Sequence, residues 1–120
     1  SPSMNASRSV AAKVNSPEPD KFQFSLIPDE VVGEGIKCTS AWTAKITKQE
    51  LTELRQKFWR TRKGSRRVWF ALKQIVEADH ETALILLEGA ELWMEGDNLG
   101  ITFDDEGGRF EIPVYVINDP

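Results

Sequence analysis

The 120-residue sequence predicts an α+β fold with a three-helix core and a C-terminal β-hairpin packed on it. Two patterns lead to this prediction. Apolar residues recur with helical spacing between residues 48 and 88, and they alternate with polar residues on both sides of a Gly-Gly turn near the C-terminus. Because a lone hairpin is marginally stable in water, we expect its apolar face to lie on the helices.

The N-terminal third shows no helical pattern. Residues 1–20 are rich in Ser, Pro and Ala and contain no aromatic residue, which predicts a disordered tail. Residues 21–35 are interpreted as an extended arm or linker. Within it, apolar and polar residues alternate over residues 21–27, as in a short strand that Pro28 ends. The apolar members are Phe22, Phe24 and Leu26. We expect residues 28–46 to be irregular, with Trp42 as their anchor.

Local capping signals define the helices. Thr47 and Glu50 form a capping box, while Ser65 and Asp79 are typical N-cap residues. Gly89 is suited to a left-handed C-cap. The helices are expected at about residues 48–61, 65–78 and 80–88.

The C-terminal part predicts a hairpin with strands at about residues 99–103 and 109–115, joined by an acidic, glycine-rich turn. Phe70 falls off the apolar stripe of the second helix, and we expect the arm at residues 21–27 to cover it. Six large apolar residues are assigned to the core: Trp59, Trp69, Leu72, Leu87, Phe103 and Phe110.

Charge is distributed unevenly along the chain, although the net charge is only −4. Residues 55–76 contain eight basic residues and no acidic one, whereas residues 77–120 contain twelve acidic residues and the single base Arg109. Such polarity is typical of a protein with two surfaces of opposite sign.

Several classes of function are disfavoured. The single cysteine, Cys38, excludes an internal disulfide and a multi-cysteine zinc site. We expect the single histidine, His80, to be exposed beside a helix cap. No catalytic constellation is recognisable, so we expect neither enzymatic activity nor a metal or other cofactor. No apolar run is long enough to span a bilayer, and no signal peptide opens the sequence. We therefore expect no membrane association and a cytoplasmic location, with the nucleus as the alternative.

Residues 60–67 are the densest basic run, and their role stays open at this point. A solvated loop facing the acidic half, a protein partner and a phosphate backbone are the three interpretations. Nucleic acid is the least favoured of these, because the nearby aromatic residues lie at the spacing of a helix core. The residues of this alternative surface are Arg60, Arg62, Lys63, Arg66 and Arg67.

From Trp42 onward, several motifs occur in order and at near-constant spacing. Together they resemble the N-terminal ubiquitin-binding domain of the ubiquitin domain-containing proteins, also called dendritic-cell-derived ubiquitin-like proteins. The most specific is an aromatic-Asp-(Asp/Glu)-x-Gly-x-x-aromatic-x-(Leu/Ile)-Pro-x-Tyr hairpin. The similarity covers about residues 36–118. The matching segments are Thr47 to Leu51, Phe58 to Thr61, Gly64 to Leu72, Asp79 to Ala90 and Phe103 to Tyr115.

The resemblance implies a non-catalytic adaptor that binds ubiquitin weakly, through an acidic surface complementary to ubiquitin's basic face. It also implies association with an E2 ubiquitin-conjugating enzyme and, in the full-length protein, a ubiquitin-like domain after this module. Three positions depart from the family's acidic pattern, namely Arg60, Arg67 and Phe70. We expect charge complementarity around a small apolar patch to drive fast, salt-sensitive binding.

The expected contact residues for ubiquitin or an E2 are the acids of the C-terminal half: Glu88, Glu91, Glu95, Asp97, Asp104, Asp105 and Glu106. The alternative hypothesis is an interaction scaffold that holds a different protein with the basic residues 60–67 and the arm at residues 21–27.

Overall fold

A computed structural model describes residues 19–120 of the chain, which contain four helices and five strands. The α+β class is therefore confirmed. The chain divides into two compact units. One combines the described residues up to Gln23 with Lys45–Thr61, and the other combines Phe24–Ala44 with Arg62–Pro120. The predicted tail lies outside the described residues except for its last two positions, which belong to the short 3-10 turn Pro19–Lys21.

Helix α1, Lys48–Arg60, belongs to the first unit and begins as the sequence predicts. The Glu50 N–H donates to Thr47 Oγ1 at 3.0 Å, and the Thr47 N–H donates to Glu50 Oε1 at 2.9 Å. This reciprocal pair satisfies two N–H groups that the first turn would otherwise leave unpaired. The buried stripe consists of Leu51, Leu54 and Phe58.

Helices α2, Arg66–Glu77, and α3, His80–Gly89, pack on each other in the second unit. The predicted caps are confirmed, because Ser65 Oγ accepts from the Val68 N–H and Asp79 Oδ1 accepts from the Thr82 N–H. This backbone bond, and a second from the Thr82 hydroxyl to Asp79 Oδ2, lower the pKa of the Asp79 carboxyl. The ionised Asp79 carboxylate therefore stabilises the folded state at pH values above the unfolded-state pKa of aspartate. This contribution is lost as the pH falls through the lowered folded-state pKa.

Residues 25–43 form an antiparallel hairpin, so the prediction of irregular structure at residues 28–46 is wrong for this stretch. Strand β1, Ser25–Val32, pairs with β2, Thr39–Thr43. Pro28 lies within β1 and does not end it. The pairing register shifts between Leu26 and Val31, where Asp29 has a positive φ of 60°. This irregularity accommodates a proline that cannot donate a ladder hydrogen bond.

A short 3-10 turn, Gly35–Lys37, ties the hairpin to the junction of α2 and α3. Lys37 Nζ donates to the carbonyl oxygens of Val76 at 2.9 Å and Ala78 at 2.6 Å, where α2 ends. The His80 ring lies so close to Gly35 that a Cβ there would overlap it. His80 is therefore only partly exposed and its Nδ1 is buried, which corrects the prediction of an exposed histidine.

The C-terminal sheet has three antiparallel strands in the order β3-β4-β5, where a two-stranded hairpin was predicted. They are Trp93–Met94, Ile101–Phe103 and Arg109–Glu111. The last predicted strand, at residues 109–115, is too long. After Pro113 the chain turns into the short helix α4, Val114–Ile117, which packs on β2. Proline fixes its own φ near −65° and cannot donate to a ladder, so the strand ends before it.

Burial confirms half of the predicted core. Leu72, Leu87 and Phe110 are at most 7% exposed. Three aromatic residues are only half-buried, namely Trp59, Trp69 and Phe103. Phe70 is 66% exposed, so the predicted cover by the arm is wrong, since that segment pairs with β2 instead. None of the helices within residues 19–120 combines the length and the apolar character that a bilayer span requires.

Candidate functional site

The C-terminal sheet has one buried face. Thr102 and Phe110 are cross-strand partners on it and are 0% and 6% exposed. Phe110 packs edge-on against Trp69 of α2, with 5.3 Å between ring centroids. Side chains alternate between the two faces of a strand, so the neighbours of these residues lie on the opposite face.

That opposite face carries a row of two aromatic residues and an arginine. Trp93 pairs with Phe103, and Phe103 pairs with Arg109, so these side chains stand side by side across three strands. Ile101 and Glu111 lie two residues further along on the same face, and Glu111 forms an ion pair with Arg109 at 3.6 Å. Trp93 is 56% exposed. We call this surface the sheet face, and it presents a large aromatic side chain to solvent.

The predicted acidic residues do not form one cluster, because the sheet separates them. Glu95 continues the pairing beyond β3, its N–H donating to the Ile101 carbonyl at 2.9 Å, and Asp97 lies in the loop from β3 to β4. The turn at residues 104–108 follows the other end of β4, and Glu91 precedes β3 at that same end of the sheet. Three strand residues span about 10 Å. The acids therefore flank the sheet face at both ends.

Within the turn, Asp104 differs from its two acidic neighbours. Its Oδ1 accepts the Gly108 N–H at 2.6 Å and the Glu106 N–H at 3.1 Å. This carboxylate holds the turn together, as aspartate commonly does at such positions. Asp105 and Glu106 are exposed. Of the three acids predicted here as contacts, these two are available to a partner.

Glu88 belongs to a different surface, on α3. Residues three, four and seven apart lie on one side of a helix. Glu81, Leu84, Ile85 and Glu88 have this spacing and are all exposed, Ile85 at 71%. We call this surface the α3 face. It pairs a small apolar patch with an acid on each side.

Glu91 has a positive φ of 58°, which is rare for a residue other than glycine. The Leu92 N–H donates to the Leu87 carbonyl and the Glu91 N–H to the Glu88 carbonyl, which is the Schellman pattern. Gly89 is still helical, so the prediction that it forms the left-handed cap is wrong by two residues. The residue with the positive φ lies instead two positions before β3.

Replacing Glu91 with glycine is expected to stabilise the fold by about 1 kcal/mol, because glycine adopts a positive φ without steric cost. Urea denaturation followed by tryptophan fluorescence measures this. Glu88→Gly is the matched control, and it should destabilise by about 0.5–1 kcal/mol because it places glycine inside the helix. A loss of stability in Glu91→Gly would contradict the assignment of strain.

The predicted basic surface is organised around Trp69. Its Nε1 donates to the Lys63 carbonyl at 2.9 Å, and the Arg62 guanidinium lies 5.8 Å from its ring centroid. Lys63, Arg66 and Arg67 are exposed in the same unit. Arg60 ends α1 in the other unit.

Within residues 19–120, no group of three or more His, Cys, Asp or Glu side chains is placed to hold a metal ion. Cys38 carries a free thiol and is partly buried. Its carbonyl accepts from Asn98 Nδ2 at 3.0 Å, which anchors the loop from β3 to β4 to the start of β2. The backbone of Cys38 and the side chain of Asn98 thus have a structural role.

Sequence reasoning missed Trp93, the most exposed aromatic residue beside the acids. Its signal was present, because it lies between Glu91 and Glu95, and alternation places it on the opposite face of β3 from the partly buried Met94. The strand is only two residues long, so a period of two could not be recognised before its pairing with β4 was known.

The chain matches the model of the family described as ubiquitin-binding domain over residues 34–120. Similar curated proteins include Ubiquitin domain-containing protein 2 of Danio rerio and Ubiquitin domain-containing protein 1 of Homo sapiens. Both are 32% identical to this chain over 82 residues, which cover 62% of this chain. The match covers 34% of the Danio rerio protein and 36% of the Homo sapiens protein. Ubiquitin domain-containing protein 1 of Xenopus tropicalis is 34% identical over 82 residues, covering 62% of this chain and 34% of that protein.

The chain thus spans about a third of the length of the curated relatives it matches. No match was found among solved structures. The family match contains α1, α2, α3, the C-terminal sheet and α4, and it leaves β1 outside. On the extent of this match, the chain belongs to the ubiquitin-binding domain family.

Proposed function

We propose that this chain is a non-catalytic module that binds ubiquitin through the sheet face and the acids that flank it. The observation that carries the proposal is Trp93, which is 56% exposed on a face bordered by acidic residues at both ends. Exposed aromatic residues at the centre of a polar rim are typical interface anchors. The family's description supports ubiquitin as the partner.

The flanking acids supply orientation and encounter rate rather than most of the affinity. Asp105, Glu106 and Glu95 are all exposed, so their pairs with basic groups would be screened by salt. The anchor would contribute the desolvated contact. We therefore expect weak binding whose association rate falls with ionic strength.

The test is a titration of the ¹⁵N-labelled 120-residue chain with unlabelled ubiquitin at up to millimolar concentration. Chemical-shift changes at residues 91–95 and 101–106 support the proposal. Changes confined to residues 81–88 would move the site to the α3 face, and Ile85→Ser would then abolish them. No changes at all would contradict ubiquitin binding.

Two variants are expected to weaken ubiquitin binding at least about tenfold: Trp93→Ala, and the double change Asp105→Lys with Glu106→Lys. The first removes the anchor and the second reverses the charge of the turn. Asp104 is retained because its carboxylate holds the turn. The affinity is measured by the same titration.

Glu30→Lys with Glu34→Lys is the matched charge control, since both residues are exposed and lie outside the sheet face. It alters the net charge by the same amount. Equal weakening by both double variants would show that overall charge, and not the turn, governs binding.

An E2 ubiquitin-conjugating enzyme is the second partner that we propose for this acidic half. The same labelled chain can be titrated with a panel of E2 enzymes. Shifts at the sheet face would mean that ubiquitin and the E2 compete, which a titration with both present would verify. Shifts elsewhere would separate the two functions.

A further inference from the structure

Helix α2 presents an exposed aromatic residue among cations. Phe70 is 66% exposed, whereas the stripe of α2 that faces the core is buried. Arg66 and Arg67, four and three residues before Phe70, lie on the same side of the helix and are exposed, as is Gln74 four residues after it. We call this surface the α2 face.

Among the described residues, the arginines of the α2 face have no acidic partner. Arg66 and Arg67 form no ion pair within the part of the chain that the structure describes. The first acidic residue after the basic run is Glu77, and it pairs with Lys73 at 2.8 Å. Neither Arg66 nor Arg67 is needed for the helix cap, which Ser65 provides. The fold therefore leaves their charge available.

The loop before α2 is held in place beside this surface. Trp69 donates to the Lys63 carbonyl at 2.9 Å, and the Arg62 guanidinium lies over the same ring. Gly64, with a φ of 103°, forms the bend between Lys63 and the start of α2. The hydrogen bond from Trp69 positions the Lys63 backbone beside the start of the helix. A positively charged surface whose backbone is already fixed loses less conformational entropy on binding.

We propose that the α2 face binds a short acidic segment of a partner protein, with an apolar side chain on Phe70 and carboxylates on Arg66 and Arg67. Arginine forms bidentate hydrogen bonds with carboxylates, and an aromatic residue bordered by arginine is typical of an interface centre. The surface is distinct from the sheet face, because α2 meets the sheet through Trp69 and the buried Phe110.

Charge favours a peptide over a nucleic acid as the occupant. Residues 77–120 contain twelve acidic residues and one base, so they repel a long polyanion at low salt. A short acidic segment carries few charges and is repelled less. Nucleic acid also binds along an extended row of cations. The α2 face has only a few cations around one aromatic residue.

The test uses the 120-residue chain and a fluorescein-labelled peptide of twelve residues, a Leu-Phe pair flanked by Asp and Glu. Binding is followed by fluorescence anisotropy, and the site is mapped by ¹⁵N shifts at residues 63–74. We expect Phe70→Ser, and separately Arg66→Glu with Arg67→Glu, to weaken binding at least about tenfold. Both changes are at exposed positions, and the ¹H–¹⁵N spectrum verifies the fold.

Two control variants should leave binding unchanged. The first is Ile85→Ser, at a similarly exposed apolar position, and the second is Lys45→Glu with Lys48→Glu, at two exposed cations. Four results would overturn the proposal: no binding at 1 mM peptide, equal binding after Phe70→Ser, equal or tighter binding of a twelve-nucleotide single-stranded DNA, or concentration-dependent shifts of α2 without peptide, which would show that a second copy of the chain covers it.

Discussion

Replacing Trp42 with alanine is expected to lower the free energy of unfolding by about 3–5 kcal/mol, a large part of the stability of a domain of this size. Trp42 is 1% exposed. Its ring packs edge-on against Phe24 and Tyr115, at centroid distances of 6.0 and 6.5 Å. Its Nε1 donates to the Asn118 carbonyl at 3.0 Å, so the change also leaves that acceptor without this donor.

Trp93→Ala provides the matched control for this loss. The same atoms are removed, but from a side chain that is 56% exposed, so we expect less than about 1 kcal/mol. Urea denaturation followed by far-ultraviolet circular dichroism compares the two variants without depending on tryptophan emission. Similar losses in both variants would contradict the assignment of Trp42 to the core and of Trp93 to the surface.

The Trp42 cluster also joins a segment outside the family match to one inside it. Phe24 and β1 precede the region matched by the family, whereas Tyr115 lies near its end. Phe24 and Tyr115 are in edge-on contact at 5.5 Å. The N-terminal strand is thus packed into the second unit and is not a detached arm. This arrangement explains why the predicted linker could not also cover Phe70.

The elements that the sequence predicted well are those whose signals are local. Thr47, Ser65 and Asp79 each cap a helix through a hydrogen bond to a residue three positions later. Such contacts can be recognised in a short window of sequence. The helix boundaries consequently agree to within one residue.

The elements that were missed depend on distant pairing. The strands β1 and β2 contain or adjoin Pro28, Gly33 and Gly35, all of which are typical of loops. Their register is established by contacts that no local pattern reveals. The same limit applies to Trp93. Only its pairing with Phe103 shows that it lies on the outer face of the sheet and not in the core.

The structure shows where the predicted acids lie, and their role as partner contacts stays a prediction. All seven predicted acids occur near the sheet or α3, yet β4 separates the turn from the loop that holds Asp97. Asp104 is committed to the turn, and Glu91 has a strained backbone. A list of acids therefore could not tell which carboxylates are accessible or which exposed apolar residue they flank.

Replacing Gly33 with alanine is expected to destabilise the fold by about 2–5 kcal/mol, the sum of the cost of a positive φ and of overpacking. Gly33 has a φ of 94°, and a Cβ there would overlap the Lys37 carbonyl oxygen and lie 2.7 Å from Asn118 Oδ1. Asn118 Nδ2 donates to the carbonyls of Val32 and Lys37 and to Thr39 Oγ1. The methyl group would thus disrupt the amide that joins the C-terminus to the hairpin.

Gly107→Ala separates the two contributions to that loss. Gly107 also has a positive φ, of 83°, but among the described residues no atom beyond its own chain neighbours lies within 4 Å of the position that its Cβ would occupy. It should cost only the backbone strain, about 1–2 kcal/mol. The excess loss in Gly33→Ala, measured by urea denaturation of both variants, reports the crowding at Asn118. An equal loss in both would show that the hairpin can move away from Asn118, and that this amide does not hold the two parts of the chain together.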